Sequence, residues 1–111
     1  MATGIYQSGS QACTVTPEHQ LTTSATETTF GVYQIFLDLN ACVKSDIFEL
    51  RIYEKARAAD TQRQAMLMVV SNDQTDDVWI SPGLILGAGW KVTLKQTAGT
   101  GRTVPWSIRN S

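Results

Sequence analysis

Hydrophobic residues in this chain recur at every second position over several stretches, the period of a strand with one buried face. In FGVYQIFLDL (30–39), Tyr33, Ile35, Leu37 and Leu39 fall on one side, and Val32, Gln34, Phe36 and Asp38 on the other. In DIFELRIYEK (46–55), Phe48, Leu50 and Ile52 alternate with Glu49, Arg51 and Tyr53, which predicts a half-buried antiparallel strand. WKVTLKQ (90–96) sets Trp90, Val92 and Leu94 inward and Lys91, Thr93 and Lys95 outward. TVPWSIR (103–109) gathers Val104, Trp106 and Ile108 on one face. Its Pro105 has no N–H to give to a ladder, so this strand is expected at an edge, or with the proline nitrogen turned outward.

The remaining segments carry weaker patterns. Residues 12–22, ACTVTPEHQLT, predict a strand interrupted near Pro17, and the Ser/Thr cluster at 22–29 predicts a loop. NACVKSD (40–46) turns the chain. DDVWISPG (76–83) predicts a short strand stopped by Pro82-Gly83, with Trp79 opposite Val78 and Ile80 and therefore facing outward. LILGAG (84–89) ends in a glycine turn. Residues 53–66 have two readings: a helix, from their Ala, Glu, Lys, Arg and Gln content, or a hairpin turning at Ala58-Ala59-Asp60. The short apolar run AMLMVVS (65–71) favours the hairpin.

Roughly seven to nine short strands at spacings of roughly 8–15 residues, with turn signals between them, predict a single-domain, all-β, antiparallel β-sandwich of jelly-roll-like form. Residues 1–10 read as an extended N-terminal arm with Ile5 and Tyr6 as its anchors, and residues 11–111 as the sandwich domain. A chain of 111 residues fits one such domain.

Charge narrows the function. Nine Lys and Arg against ten Asp and Glu are spread along the chain with no basic block, so no nucleic-acid surface is expected. No run of 18 apolar residues exists to span a membrane as a helix. The first ten residues lack a basic region followed by an apolar one, so no secretory signal is expected and the cytoplasm is the expected place of synthesis. There, Cys13 and Cys42 are expected as reduced, partly or fully buried thiols.

Several stretches suggest chemistry and then fail its requirements. Ala98-Gly99-Thr100-Gly101-Arg102 has the ingredients of a phosphate cradle, yet no Lys-Ser/Thr pair and no helix follow the second glycine. Flanked by two alternating strands, it reads as a hairpin turn, with Arg102 either solvated at the tip or touching an acidic neighbour on another molecule of an assembly. Asp76 and Asp77 are adjacent in a strand, so their side chains diverge and cannot share a proton. His19 has no nucleophile, base or metal-ligand partner at a recognisable spacing and reads as a surface residue. No catalytic residue, cofactor, metal or small-molecule substrate is expected, and the chain does not read as an enzyme.

What remains is surface. Strands 32–39 and 65–70 carry apolar side chains on both faces, with Met66, Met68 and Val70 opposing Leu67 and Val69. A two-layer sandwich covers only one face of each sheet. The surplus, together with an outward Trp79, predicts contact with another subunit through Met66, Met68 and Trp79. A carbohydrate-binding module, with Trp79 or Tyr53 stacking on sugars, is a reading of another class.

Three stretches carry a resemblance that runs over nearly the whole chain: ATGIYQSGSQACTVTPEHQLTT, FELRIYEKA and GWKVTLKQTAGTGRTVPWSIR. Together they resemble a family of small tailed-phage virion proteins. The resemblance implies a strand running into a hairpin at ELRIYEK rather than a helix. It also implies a capsid cement or decoration protein on the virion surface, a homo-oligomer, trimeric by preference, whose partner is the major capsid protein. A head–tail connector or tail protein is the alternative role. Ile5, Tyr6, Trp79, Met66, Met68 and Arg102 are the expected contact residues.

Overall fold

The computed structural model describes residues 4–72 and 76–111. They form nine strands and no helix: β1 (Gly4–Ala12), β2 (Glu18–Gln20), β3 (Gly31–Asp38), β4 (Ile47–Glu54), β5 (Arg63–Ser71), β6 (Val78–Ile80), β7 (Leu84–Leu86), β8 (Lys91–Ala98) and β9 (Thr103–Asn110). The strands make two antiparallel sheets. Sheet A has the order β1-β9-β3-β6, with β7 also on β3, and sheet B the order β2-β8-β4-β5.

The core is the space between the sheets, filled as the alternation predicts. Tyr33, Ile35, Leu37 and Leu39 from β3 and its end meet Phe48, Leu50 and Ile52 of β4 and Trp90, Val92 and Leu94 beside and within β8. Val104 and Ile108 of β9 complete it. Burial of these side chains is the main stabilising term, since each removes apolar area from water at about 25 cal/mol per Å².

Residues 55–62 form the loop of the β4–β5 hairpin, with Asp60 N–H donating to the Arg57 carbonyl at 2.9 Å, and no helix intervenes. β6 and β7 are one strand interrupted at Pro82-Gly83, both pairing with β3. Ser81 bridges the break: its N–H donates to the Ile35 carbonyl, and its Oγ accepts from Ile35 N–H, both at 2.9 Å.

Several expectations are corrected. The boundary drawn at residue 10 falls inside β1, which pairs with β9 from Gly4 to Ala12, so this segment is extended but laid down as a sheet edge. A register shift between Ile5 and Gln7 turns both Tyr6 and Gln7 toward the interior. Tyr6 then packs on Tyr33 and Trp90, ring centroids 5.1 and 5.9 Å away. β9 lies inside its sheet, between β1 and β3. It tolerates Pro105 because its pairing with β3 stops at Trp106, the residue that follows Pro105 in the chain.

The glycine stretch at 98–102 is a corner rather than a hairpin, since β8 belongs to sheet B and β9 to sheet A. Gly99 has φ +90°, and a Cβ on it would strike the Asp46 carboxylate. His19 is half-buried opposite the inward Leu94, with Nε2 enclosed and unpartnered. Thr93 points outward but is buried, because its hydroxyl donates to the Glu18 carboxylate above it.

Candidate functional site

The two outer faces of the sandwich differ in chemistry. On sheet B, charged and polar neighbours on β2, β4 and β8 bond to one another, while β5 sets Leu67 beside Arg51 and Val69 beside Glu49. The Glu18 carboxylate accepts from Arg51 at 3.1 Å, from the Tyr53 hydroxyl at 2.7 Å and from Thr93. Arg51 also donates to Glu49 at 2.7 Å, and Lys91 Nζ lies 4.7 Å above the Tyr53 ring. Burial works against ionisation of Glu18. The hydrogen bonds from Thr93 and Tyr53 and the charge of Arg51 outweigh it, and hold the carboxyl below its usual range.

Sheet A presents the opposite character. With Tyr33, Ile35 and Leu37 committed to the core, alternation leaves Val32, Gln34, Phe36 and Asp38 of β3 on the outside. Register then sets Ile85 beside Val32, Ile80 beside Phe36 and Val78 beside Asp38. On the other flank, Arg109 of β9 lies between Gln34 and Ile5. Ile85 is 80% exposed, Ile5 63%, and Phe30, just before β3, 70%. The Arg109 guanidinium carbon lies 3.7 Å from the Phe36 ring centroid and its Nε donates to Ser107 Oγ at 3.3 Å, so this cation in the middle of the face is held over the ring. Two shallow hollows of about 590 and 270 Å³ adjoin there, sharing Ile5, Phe36 and Arg109.

The residues expected to make contacts are dispersed. Ile5 alone lies on this face; Tyr6, three of whose neighbours are Tyr33, Trp90 and Glu27, faces inward. Trp79 pairs with the inward Leu37 and packs against the core, which leaves Val78 and Ile80 outside, the reverse of the expected parity. Met68 also packs on the core, Met66 is partly exposed, and the outward residues of β5 are Leu67 and Val69. Arg102 donates through Nε to Asp46 at 2.7 Å and is half-buried. Of the two sugar-stacking candidates, Trp79 is engaged by the core and Tyr53 by Glu18 and Lys91.

Sequence reasoning missed Val78, Ile80, Ile85 and Arg109. The outward Val32 and Phe36 were the available signal, because neighbours in register with them had to share their face.

Among the described residues, no three His, Cys, Asp or Glu side chains come together to hold a metal ion. Cys13 and Cys42 are buried and unpaired. Burial, with Cys42 nearby, pushes the Cys13 thiol up to about 11. No known family, curated protein or solved structure matches the chain.

Proposed function

We propose that this chain is a structural protein of a phage virion, a cement or decoration protein that docks on the lattice of the major capsid protein through the outer face of sheet A. One observation carries the reading: sheet A turns out Ile5, Val32, Phe36, Val78, Ile80 and Ile85 across its strands, whereas the central strands of sheet B, β4 and β8, turn out charged side chains with Arg51 ion-paired to Glu49 and to Glu18 of β2, and apolar Leu67 and Val69 lie at its β5 edge. A contiguous apolar patch is costly to leave in water and marks an interaction surface. Arg109, held over the Phe36 ring, adds a positioned cation that suits a carboxylate or backbone carbonyl on the partner.

The winding supports the same reading. Every connection crosses between the sheets except the β4–β5 hairpin and the β6–β7 break, and the orders β1-β9-β3-β6 and β2-β8-β4-β5 read as a double-sheet jelly roll. Viral capsid domains use this architecture, as do lectins, so the fold supports the role without deciding it. A docking role needs a rigid scaffold and one sticky face, and many weakly bound copies on a lattice gain strength from multivalency.

The test uses heads of the phage that encodes the chain. Wild-type protein should co-sediment with expanded heads, and the variant I80D/I85D should lose that binding while remaining folded. A chain that is absent from purified virions and does not bind heads contradicts the proposal.

A further inference from the structure

An unpaired sheet edge is a template for another strand, and proteins usually blunt it. Three of the four edges here are blunted. β2 is three residues long and follows Pro17. β6 and β7 are three residues each and break at Pro82. β1 shifts register once at Tyr6, and its unbroken part, Gln7–Ala12, is made of Gln, Ser, Gly and Ala, which offer a new strand little apolar surface.

β5 is different. Its register against β4 slips once, at Ala65, and then runs unbroken from Met66 to Ser71. Those residues, MLMVVS, contain no charge and no proline. Among the described residues nothing pairs with the far side of β5, so alternate N–H and C=O groups along it point away from the sheet. Val69 is 67% exposed and Leu67 44%.

We infer that β5 pairs antiparallel with β5 of a second copy of this chain, about a two-fold axis through Met68, so that two copies of sheet B become one continuous sheet. The strand is complementary to itself in that register. Directly opposed residues must share a face, so the axis passes through a residue. With the axis at Met68, Leu67 meets the copy's Val69 on the outer face and Met66 meets the copy's Val70 on the inner face. Moving it to Leu67 opposes Val70 to Gln64, and moving it to Val69 opposes Leu67 to Ser71, each wasting an apolar pair. Arg63, the one charged residue of β5, falls at the two ends of the joint, so no like charges meet. A two-fold joint closes at two copies. It is an alternative to the trimer that the family resemblance implied. It uses a different surface from the proposed docking face and does not rest on that reading.

Sedimentation equilibrium of the full chain tests it. Wild-type protein should run as a dimer, and L67K/V69K as a monomer, because each new lysine would lie against a lysine of the other copy. Both sites are exposed, so circular dichroism should be unchanged. I80D/I85D, on the other sheet, should remain dimeric. Amide exchange gives the same test without substitution: on dilution of the wild-type protein, alternate β5 amides should exchange faster by roughly tenfold or more. A wild-type monomer at all concentrations, a trimer, a double variant that still dimerises, or β5 amides insensitive to dilution would each overturn the inference.

Discussion

Asp46 accepts hydrogen bonds from Val43 N–H at 2.9 Å, Thr100 N–H at 3.0 Å and Arg102 Nε at 2.7 Å, with its side chain fully buried. Those donors come from the β3–β4 turn and from the β8–β9 corner, so one carboxylate ties the two connections together. Removing it leaves two backbone N–H groups and a guanidinium unpaired. Asp46→Ala should therefore destabilise the fold by about 3 kcal/mol or more in urea denaturation. Arg57→Ala, which breaks the exposed pair with Asp60, should leave the urea midpoint unchanged.

The same residues set the acid response. Burial alone would raise the Asp46 pKa, but the two N–H donors and Arg102 overcome it, and both Asp46 and Glu18 are held below the usual range. The folded state thus binds fewer protons than the unfolded chain in acid. Their stabilisation is complete above the unfolded carboxyl pKa of about 4 and is lost as pH falls from there through the folded values. The urea midpoint should drop on that descent, and less so in Asp46→Ala; an identical slope in the variant would remove Asp46 from the account. The thiols behave oppositely. Cys13, raised to about 11, stays protonated in the native protein, so a thiol-alkylating reagent at pH 8 should label neither cysteine until urea unfolds the chain.

At the level of elements, long alternating strands were legible and the partition between sheets was not. β3 and β4 show their buried faces directly, since Tyr33, Ile35 and Leu37 of β3, continued by Leu39, outweigh Val32 and Phe36 on the other parity, and Phe48, Leu50 and Ile52 of β4 alternate with Glu49, Arg51 and Tyr53. β6 is three apolar residues, Val-Trp-Ile, and alternation there fixes only that Trp79 opposes its neighbours. Pairing of Trp79 with Leu37 decides which way it faces. Trp79→Ala should accordingly cost about 2 kcal/mol or more, and Ile80→Ala beside it less than about 0.5 kcal/mol. Equal costs would mean that the parity is wrong.

The glycine corner was misread for a related reason. Glycines that permit positive φ serve a hairpin and a crossing between layers equally well. Only the long-range partners of β8 and β9, namely β4 and β1, separate the two. Arg102 likewise looked free in the sequence because Asp46 is 56 residues away from it along the chain.

At the level of the molecule, the sandwich is two-faced. On sheet B, Arg51 pairs with Glu18 and Glu49 at the centre of the outer face, and the apolar Leu67 and Val69 are confined to the β5 edge. Sheet A's outer face has no such network, and its cation is pinned to an aromatic ring rather than to a carboxylate. The substitutions I80D and I85D change exposed side chains, so each should shift stability by no more than about 0.5 kcal/mol. Any loss of binding then reports the face itself. The direct test of that claim is hydrogen exchange across sheet A, with and without the expanded heads that the proposal makes its partner. The account predicts that the amides of β3, β6 and β7 slow on binding while those of β2 and β8 in sheet B keep their rates. Protection confined to sheet B, or none on either sheet at saturating heads, would contradict it.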